Sequence, residues 1–197
     1  MISIPAATHS LPIQRSWLAV RQGETTEKMI PSMLRQEETQ MKYRNWKGMP
    51  LSAVGMGCMG LSHAYGKPLE KKDAVALLQK AVEMGYTFFD TAEVYGTSDD
   101  PHINEELVGE ALRLYRSQVV IATKFGIGFD KSGGKIPYPL VADARPETIR
   151  KSVEGSLKRL GVECIDLYYQ HRIDPNTSPE EVADVMAKLI QEGKIRH

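Results

Sequence analysis

The nine residues Phe88-Phe89-Asp90-Thr91-Ala92-Glu93-Val94-Tyr95-Gly96 decide how the chain is read. Two apolar aromatics followed by an acid and a threonine describe the buried end of a strand opening into a loop, which is where barrels and open α/β sheets keep their chemistry. Asp90 then stands at the strand mouth and Tyr95 in the loop above it. Two later runs end in the same way, Val119-Val120-Ile121-Ala122-Thr123-Lys124 and Ile165-Asp166-Leu167-Tyr168-Tyr169-Gln170-His171. An acid, a tyrosine, a lysine and a histidine therefore arrive at the ends of successive strands.

Helical periods fill the gaps between these runs. Lys71 to Met84 places Ala74, Leu77, Leu78 and Ala81 on one face and stops at Gly85. Ile103, Leu107, Ala111 and Leu114 form the inner stripe of a second helix. A third begins near Pro146, carries Ile149, Val153, Leu157 and Leu160, and stops at Gly161. Ser178-Pro179-Glu180-Glu181 has the serine, first-turn proline and third-position glutamate of a capping box, and opens a fourth helix with Val182, Val185, Met186, Leu189 and Ile190 facing inward. Ile195, beyond Gly193, starts a fifth strand. Upstream, Ser52 to Gly57 reads as a first strand of small residues, and Lys42 to Leu51 as a short hairpin turning at Lys47-Gly48. Strict alternation of strand and helix implies parallel strands joined by right-handed crossovers. Apolar runs without polar alternation imply that both sheet faces are covered.

An apolar fraction of 42% and a charged fraction of 25% are those of an ordinary globular chain. With 25 basic and 25 acidic residues there is no global field for nucleic acid, and no apolar run suggests a membrane span. Cys58 and Cys164 are far apart, each in or beside a strand-like run, which favours reduced thiols and a cytoplasmic location. Met1 to Gln40 show no sustained period and carry Pro5, Pro12 and Pro31, so residues 1–40 are expected to be a disordered leader or an alternative-start extension. The folded domain is expected over 41–197.

Gly55-Met56-Gly57-Cys58-Met59-Gly60 spells the glycine pattern of a dinucleotide fold, but Ser62, Gly66 and Pro68 keep the next residues out of a helix. Without a helix N-terminus to receive a pyrophosphate, a glycine-rich strand end is the better reading. Taken singly, Asp90 reads as a turn cap, Tyr95 as a loop aromatic, Lys124 as a solvated charge and His171 as a rim residue. Taken jointly they read differently, because a lysine at the end of Val119-Val120-Ile121-Ala122 needs an anionic partner near a buried strand end, and Asp90 is well placed. An ammonium beside a phenol stabilises its anion and strengthens it as an acid, so the cluster points to proton transfer, with His171 orienting a carbonyl oxygen toward Tyr95. Such a proton donor lacks an electron source, which suits hydride delivery from a bound nicotinamide.

At these residues the chain resembles the aldo-keto reductase superfamily. The resemblance rests on Met41-Lys42-Tyr43-Arg44, Gly57-Cys58-Met59-Gly60, Asp90-Thr91-Ala92 with Tyr95-Gly96, Asn104-Glu105 with Gly109, Ala122-Thr123-Lys124, and Asp166-Leu167-Tyr168-Tyr169-Gln170-His171-Arg172, in family order. It implies an α/β fold, a parallel (β/α)8 TIM-type barrel, and reduction of an aldehyde or ketone with NADPH and without metal. It further implies Tyr95 as proton donor, Lys124 as the group that strengthens it, Asp90 as the partner of Lys124, His171 as the carbonyl-orienting residue, and Cys58 and Met59 as backbone positions beside the nicotinamide. A closed barrel of this type takes about 250 residues, so the stretch from Met41 is expected to hold about the first four β-α units. Two expectations follow: a piece of a working reductase, or a non-catalytic half-barrel that associates with another chain through its exposed first and fourth strand edges. The glycine- and proline-bearing stretch Phe125 to Ala144 is expected to be a mobile loop over the mouth.

Overall fold

The structure, a computed structural model, describes residues 41–134 and 138–197. The expected leader lies outside the described residues. The chain enters through an antiparallel hairpin of β1 (Tyr43–Trp46) and β2 (Met49–Ser52). Its turn places Lys47 and Gly48 at φ +49° and +84°, the left-handed pair that matches strand twist in a two-residue turn, and Asn45 Oδ1 accepts from the Gly48 amide at 3.0 Å. Tyr43 pins the hairpin to the domain by donating from its hydroxyl to Gly85 O at 3.1 Å.

The main sheet holds β3 (Met56–Gly57), β4 (Phe88–Asp90), β5 (Val120–Phe125) and β8 (Leu167–Gln170), parallel and in chain order. Helices α1 (Lys71–Glu83), α2 (Ile103–Leu112) and α3 (Pro146–Leu160) cross between successive strands, and α4 (Pro179–Gln191) follows the last. The expected β-α alternation is therefore present, and four units of it. Phe89, Ile121, Phe125 and Ile165 from the sheet side pack with Leu78, Leu107, Ile149, Leu160 and Leu189 from the helices, all buried in one continuous core. At roughly 2 kcal/mol for each such side chain, this core is the main favourable term holding helices to sheet.

Local signals are realised where the sequence placed them. Ser178 accepts from the Glu181 amide while Glu181 accepts from the Ser178 amide, closing the capping box of α4. Gly161 ends α3 in the left-handed conformation, φ +64°.

The structure departs from the sequence reading in several places. Leu77, Leu114 and Ile190 are exposed rather than inward-facing. For Leu114 the cause is a change of helical period: α2 stops at Leu112, and the tighter 3-10 turn over Arg113–Gln118 rotates it outward. The first strand is two residues long, because β2 takes Ser52 into the hairpin and Thr87 clasps the Ser52 backbone from the side. The stretch expected as a loop over the mouth contains a second antiparallel ribbon, β6 (Ile127–Phe129) paired with β7 (Leu140–Ala142). Finally, Ile195 makes a parallel bridge with Ile165, and His197 O accepts from the Tyr168 amide at 2.9 Å. The edge of the fourth strand is thus partly covered, whereas β3 has a single neighbour, β4, among the described residues.

Gly109 sets how closely α2 can approach the end of α3: a Cβ there would lie 2.6 Å from Leu160 O, with further backbone atoms at 2.7 Å. Gly109→Ala would gain up to about 1 kcal/mol of helix propensity. The clash is with backbone that no side-chain rotation relieves, and overpacking of this kind costs about 1–3 kcal/mol. A net loss of up to about 2 kcal/mol is expected, read as a lower urea midpoint, while Gly57→Ala, with open space at its Cβ, should be close to neutral.

Candidate active site

Alternation along the strands sorts the polar residues onto two sides of the sheet. Asp90 is opposite Ala122, and Lys124, two residues on, points to the same side; it is itself opposite Tyr169. Asp90, Lys124 and Tyr169 border a cleft of about 440 Å³ together with Gly55, Met56, Gly57, Phe88, Gln170 and His171. Thr91, Thr123 and Tyr168 point the other way, into the layer of helices. Thr91 Oγ1 bonds Asn104 Oδ1 at 2.6 Å, and Thr123 Oγ1 donates to Glu105 Oε1 at 2.6 Å.

The Lys124 ammonium is largely buried, and each of its three N–H groups has an acceptor. They are Asp90 Oδ1 at 2.5 Å, the carbonyl of Thr91 at 2.8 Å and the Tyr95 hydroxyl oxygen at 3.2 Å. The ammonium also lies 4.8 Å from the centre of the Tyr95 ring. Tyr95 is held in turn between two imidazoles: His63 stacks on it at 5.9 Å, and His171 meets it edge-on at 5.5 Å. His63 is anchored by a 2.7 Å hydrogen bond from Nδ1 to Gly96 O.

His171 lines the cleft with a buried Nδ1 that has no partner among the described residues. Burial, and then the neighbouring Lys124 charge, push its pKa down from 6.5 to about 4, so the ring is neutral at pH 7. A neutral imidazole offers one donor and one acceptor, the equipment needed to orient a carbonyl without competing for its proton.

Asp90, Tyr95, Lys124 and His171 are thus brought together, as the sequence placed them. The side chains of Cys58 and Met59, which follow β3, do not line the cleft. The Cys58 side chain is fully buried in the main core, its backbone amide donating to Asp90 O at 2.8 Å. Burial pushes its thiol up to about 12, so it is no nucleophile at neutral pH. Met59 packs in a second cluster with Ala92, Val94, Tyr95 and Ile127. The strand residues bordering the cleft are Gly55, Met56 and Gly57 instead.

Several supports were not assigned from sequence. Asn104 donates to Cys58 O at 2.9 Å and bonds Ser62 Oγ, fastening the first loop to the second. Glu105 is fully buried and takes Arg159 Nε at 2.6 Å as counter-ion. Asn104-Glu105 was visible as a motif, but nothing in a single sequence says that a helical acid points inward. His63 had no sequence signal. Among the described residues, no group of three or more His, Cys, Asp or Glu is placed to hold a metal ion, and no helix is long and apolar enough to cross a membrane.

The chain matches the aldo/keto reductase family over residues 53–197. It belongs to that family. A Glycine max protein named probable aldo-keto reductase 1 is 45% identical over 153 residues, covering 77% of this chain and 41% of the relative. The holo form of a Bacillus halodurans aldo-keto reductase superposes with a TM-score of 0.67 at 31% identity, over 80% of this chain and 49% of that one. A thermostable aldo-keto reductase solved with the inhibitor epalrestat gives 0.64 at 29%, over 80% and 52%. This aldo-keto reductase chain therefore spans about two fifths of the curated relative and about half of the solved ones.

The native His171 binds fewer protons than an unfolded histidine between pH 4 and 6.5, so it makes stability rise with pH across that window. Its ring protons should titrate by NMR with a midpoint near 4, and His171→Gln should flatten the rise in urea midpoint between pH 4 and 6.5.

Proposed function

We propose that this chain carries the proton-transfer half of an oxidoreductase that converts an aldehyde or ketone to an alcohol with NADPH, Tyr95 acting as the proton donor. The observation that carries the reading is the complete use of the Lys124 donors. Because Lys124 donates to the Tyr95 oxygen, the phenol's own hydrogen is directed elsewhere and is free to be given to a substrate. Asp90 and the Thr91 carbonyl hold the ammonium in place, so its charge is fixed beside the oxygen from which the proton leaves.

The cleft fits the reactive end of such a cofactor. Its volume falls in the range of small-ligand sites, the partly exposed Tyr169 ring offers a face for stacking, and Gly57 leaves open space where a side chain would project. A bound nicotinamide supplies the hydride that goes to the carbonyl carbon. The chain's own residues do the rest: His171 orients the carbonyl oxygen through a ring nitrogen, and Tyr95 gives that oxygen its proton. The buried Cys58 thiol and the free Cys164 support a cytoplasmic place of action.

A second reading is association. It is favoured by β3, which has one strand neighbour among the described residues and offers its other edge for pairing with a second copy.

Titration with NADPH while following tryptophan fluorescence, coupled to an absorbance assay with aldehydes, separates the two. The catalytic reading expects saturable quenching and turnover that Tyr95→Phe lowers at least about 100-fold with NADPH affinity within about twofold. No quenching, together with a concentration-dependent dimer by sedimentation, would instead establish association as the activity of this chain.

A further inference from the structure

Glu93 takes no part in the proton transfer proposed above, yet it is 7% exposed and bonds the strand end that carries Lys124. Its backbone amide donates to Lys124 O at 3.2 Å. Its carboxylate Oε1 accepts from the Gly126 amide at 3.1 Å. Its own carbonyl takes a 2.5 Å hydrogen bond from His102 Nδ1. One residue, two positions before Tyr95, therefore grips the chain at Lys124 and again two positions beyond it.

The grip has a geometric reason. Gly126 lies at φ +90°, the left-handed turn by which the chain leaves β5 and enters β6, and its amide is lost to the main sheet there. Glu93 supplies the acceptor. We propose that Glu93 is a positioning residue whose carboxylate ties the loop carrying Tyr95 to the strand end carrying Lys124 and thereby sets the Tyr95–Lys124 spacing. The inference rests on the reading of these two residues as acid and partner.

The carboxylate is faced by Ser152 and Arg159 of α3, Glu105 of α2 and Tyr168 of β8, while His102, before α2, bonds the backbone carbonyl of the same residue. Burial outweighs the Ser152 and Gly126 hydrogen bonds and lifts its pKa from 4.5 to about 7. Arg159 is already engaged by Glu105 at 2.6 Å, so it leaves Glu93 without a dedicated counter-ion. Protonation near neutrality weakens the acceptor, and the tie loosens as pH falls through 7.

NMR on the full 197-residue chain tests this without a turnover assay. The Gly126 amide cross-peak should titrate with a midpoint near 7 in the wild type and lose that titration in Glu93→Gln. The Lys124 ε-methylene protons should carry a ring-current shift from Tyr95, defined by its loss in Tyr95→Leu. Glu93→Ala should move that shift at least halfway to the Tyr95→Leu value, and Glu93→Gln, whose neutral amide oxygen still accepts from Gly126 but more weakly than a carboxylate, should bring back most of it. If Glu93→Ala does not fold, Glu93→Asp, one methylene too short for the bond, is read in its place. An unchanged Lys124 shift, or a Gly126 profile that is flat in the wild type or unaltered in Glu93→Gln, overturns the proposal. Failure of the reductase reading shows separately, as a wild-type chain that binds no NADPH while these signals behave as expected.

Discussion

A single buried ammonium governs the upper end of this domain. Lys124 stands at the end of a strand whose preceding residues are fully inside, where an unpaired charge would cost several kcal/mol. The cost is offset because Asp90, the Thr91 carbonyl and the Tyr95 hydroxyl all converge on it. Convergence requires β4 and β5 to be adjacent, parallel and in one register, with Asp90 opposite Ala122. A one-residue slip would send Lys124 into the helical layer and Thr123 into the cleft. The charge pair and the sheet register therefore specify each other.

The opposite face of the same strands shows how the helices are made to agree with that register. Thr123 hands its hydroxyl hydrogen to Glu105 of α2, and Glu105 takes Arg159 of α3. A buried ion pair of this sort adds little net stability over an apolar pair. It does define a unique arrangement, because either partner alone would be a buried charge. At the other end of the sheet Asp166 accepts from the Ile121 amide at 2.9 Å and pairs with Arg116 at 2.8 Å. Strand β5 is thus held to its neighbours by polar side chains at both ends, and its middle by the apolar core.

Membership of the aldo-keto reductase family agrees with this division of labour. The residues facing the cleft include the Asp90–Lys124 pair and His171, and those facing the helices carry the alignment. The shared span of 53–197 includes both. The β6–β7 ribbon stands above the ends of the strands, and its first turn is bonded to the loop that bears Tyr95. Shape at the mouth is thereby coupled to the loop that holds Tyr95.

The alternation of strand and helix, the capping box at Ser178, the helix stop at Gly161 and the meeting of Asp90, Tyr95, Lys124 and His171 were legible in the sequence, because each is written in local periodicity or in residue type at a strand end. Where local pattern was misleading, the reason was physical. Leu114 has the right spacing for the inner stripe, but the helix tightens before reaching it. The glycines and prolines of 125–144 say turn, and they could not say that the flanks of that turn pair with each other. Cys58 and Met59 sit at a strand end beside the cleft, but which of their neighbours face it depends on where a two-residue strand stops. The roles of Asn104, Glu105, Arg159, His63 and Glu93 were decided by tertiary packing. Whether an acid on a helix is a solvated surface charge or a buried tie depends on which face meets the sheet and on what waits there, and those partners are up to 54 residues away along the chain.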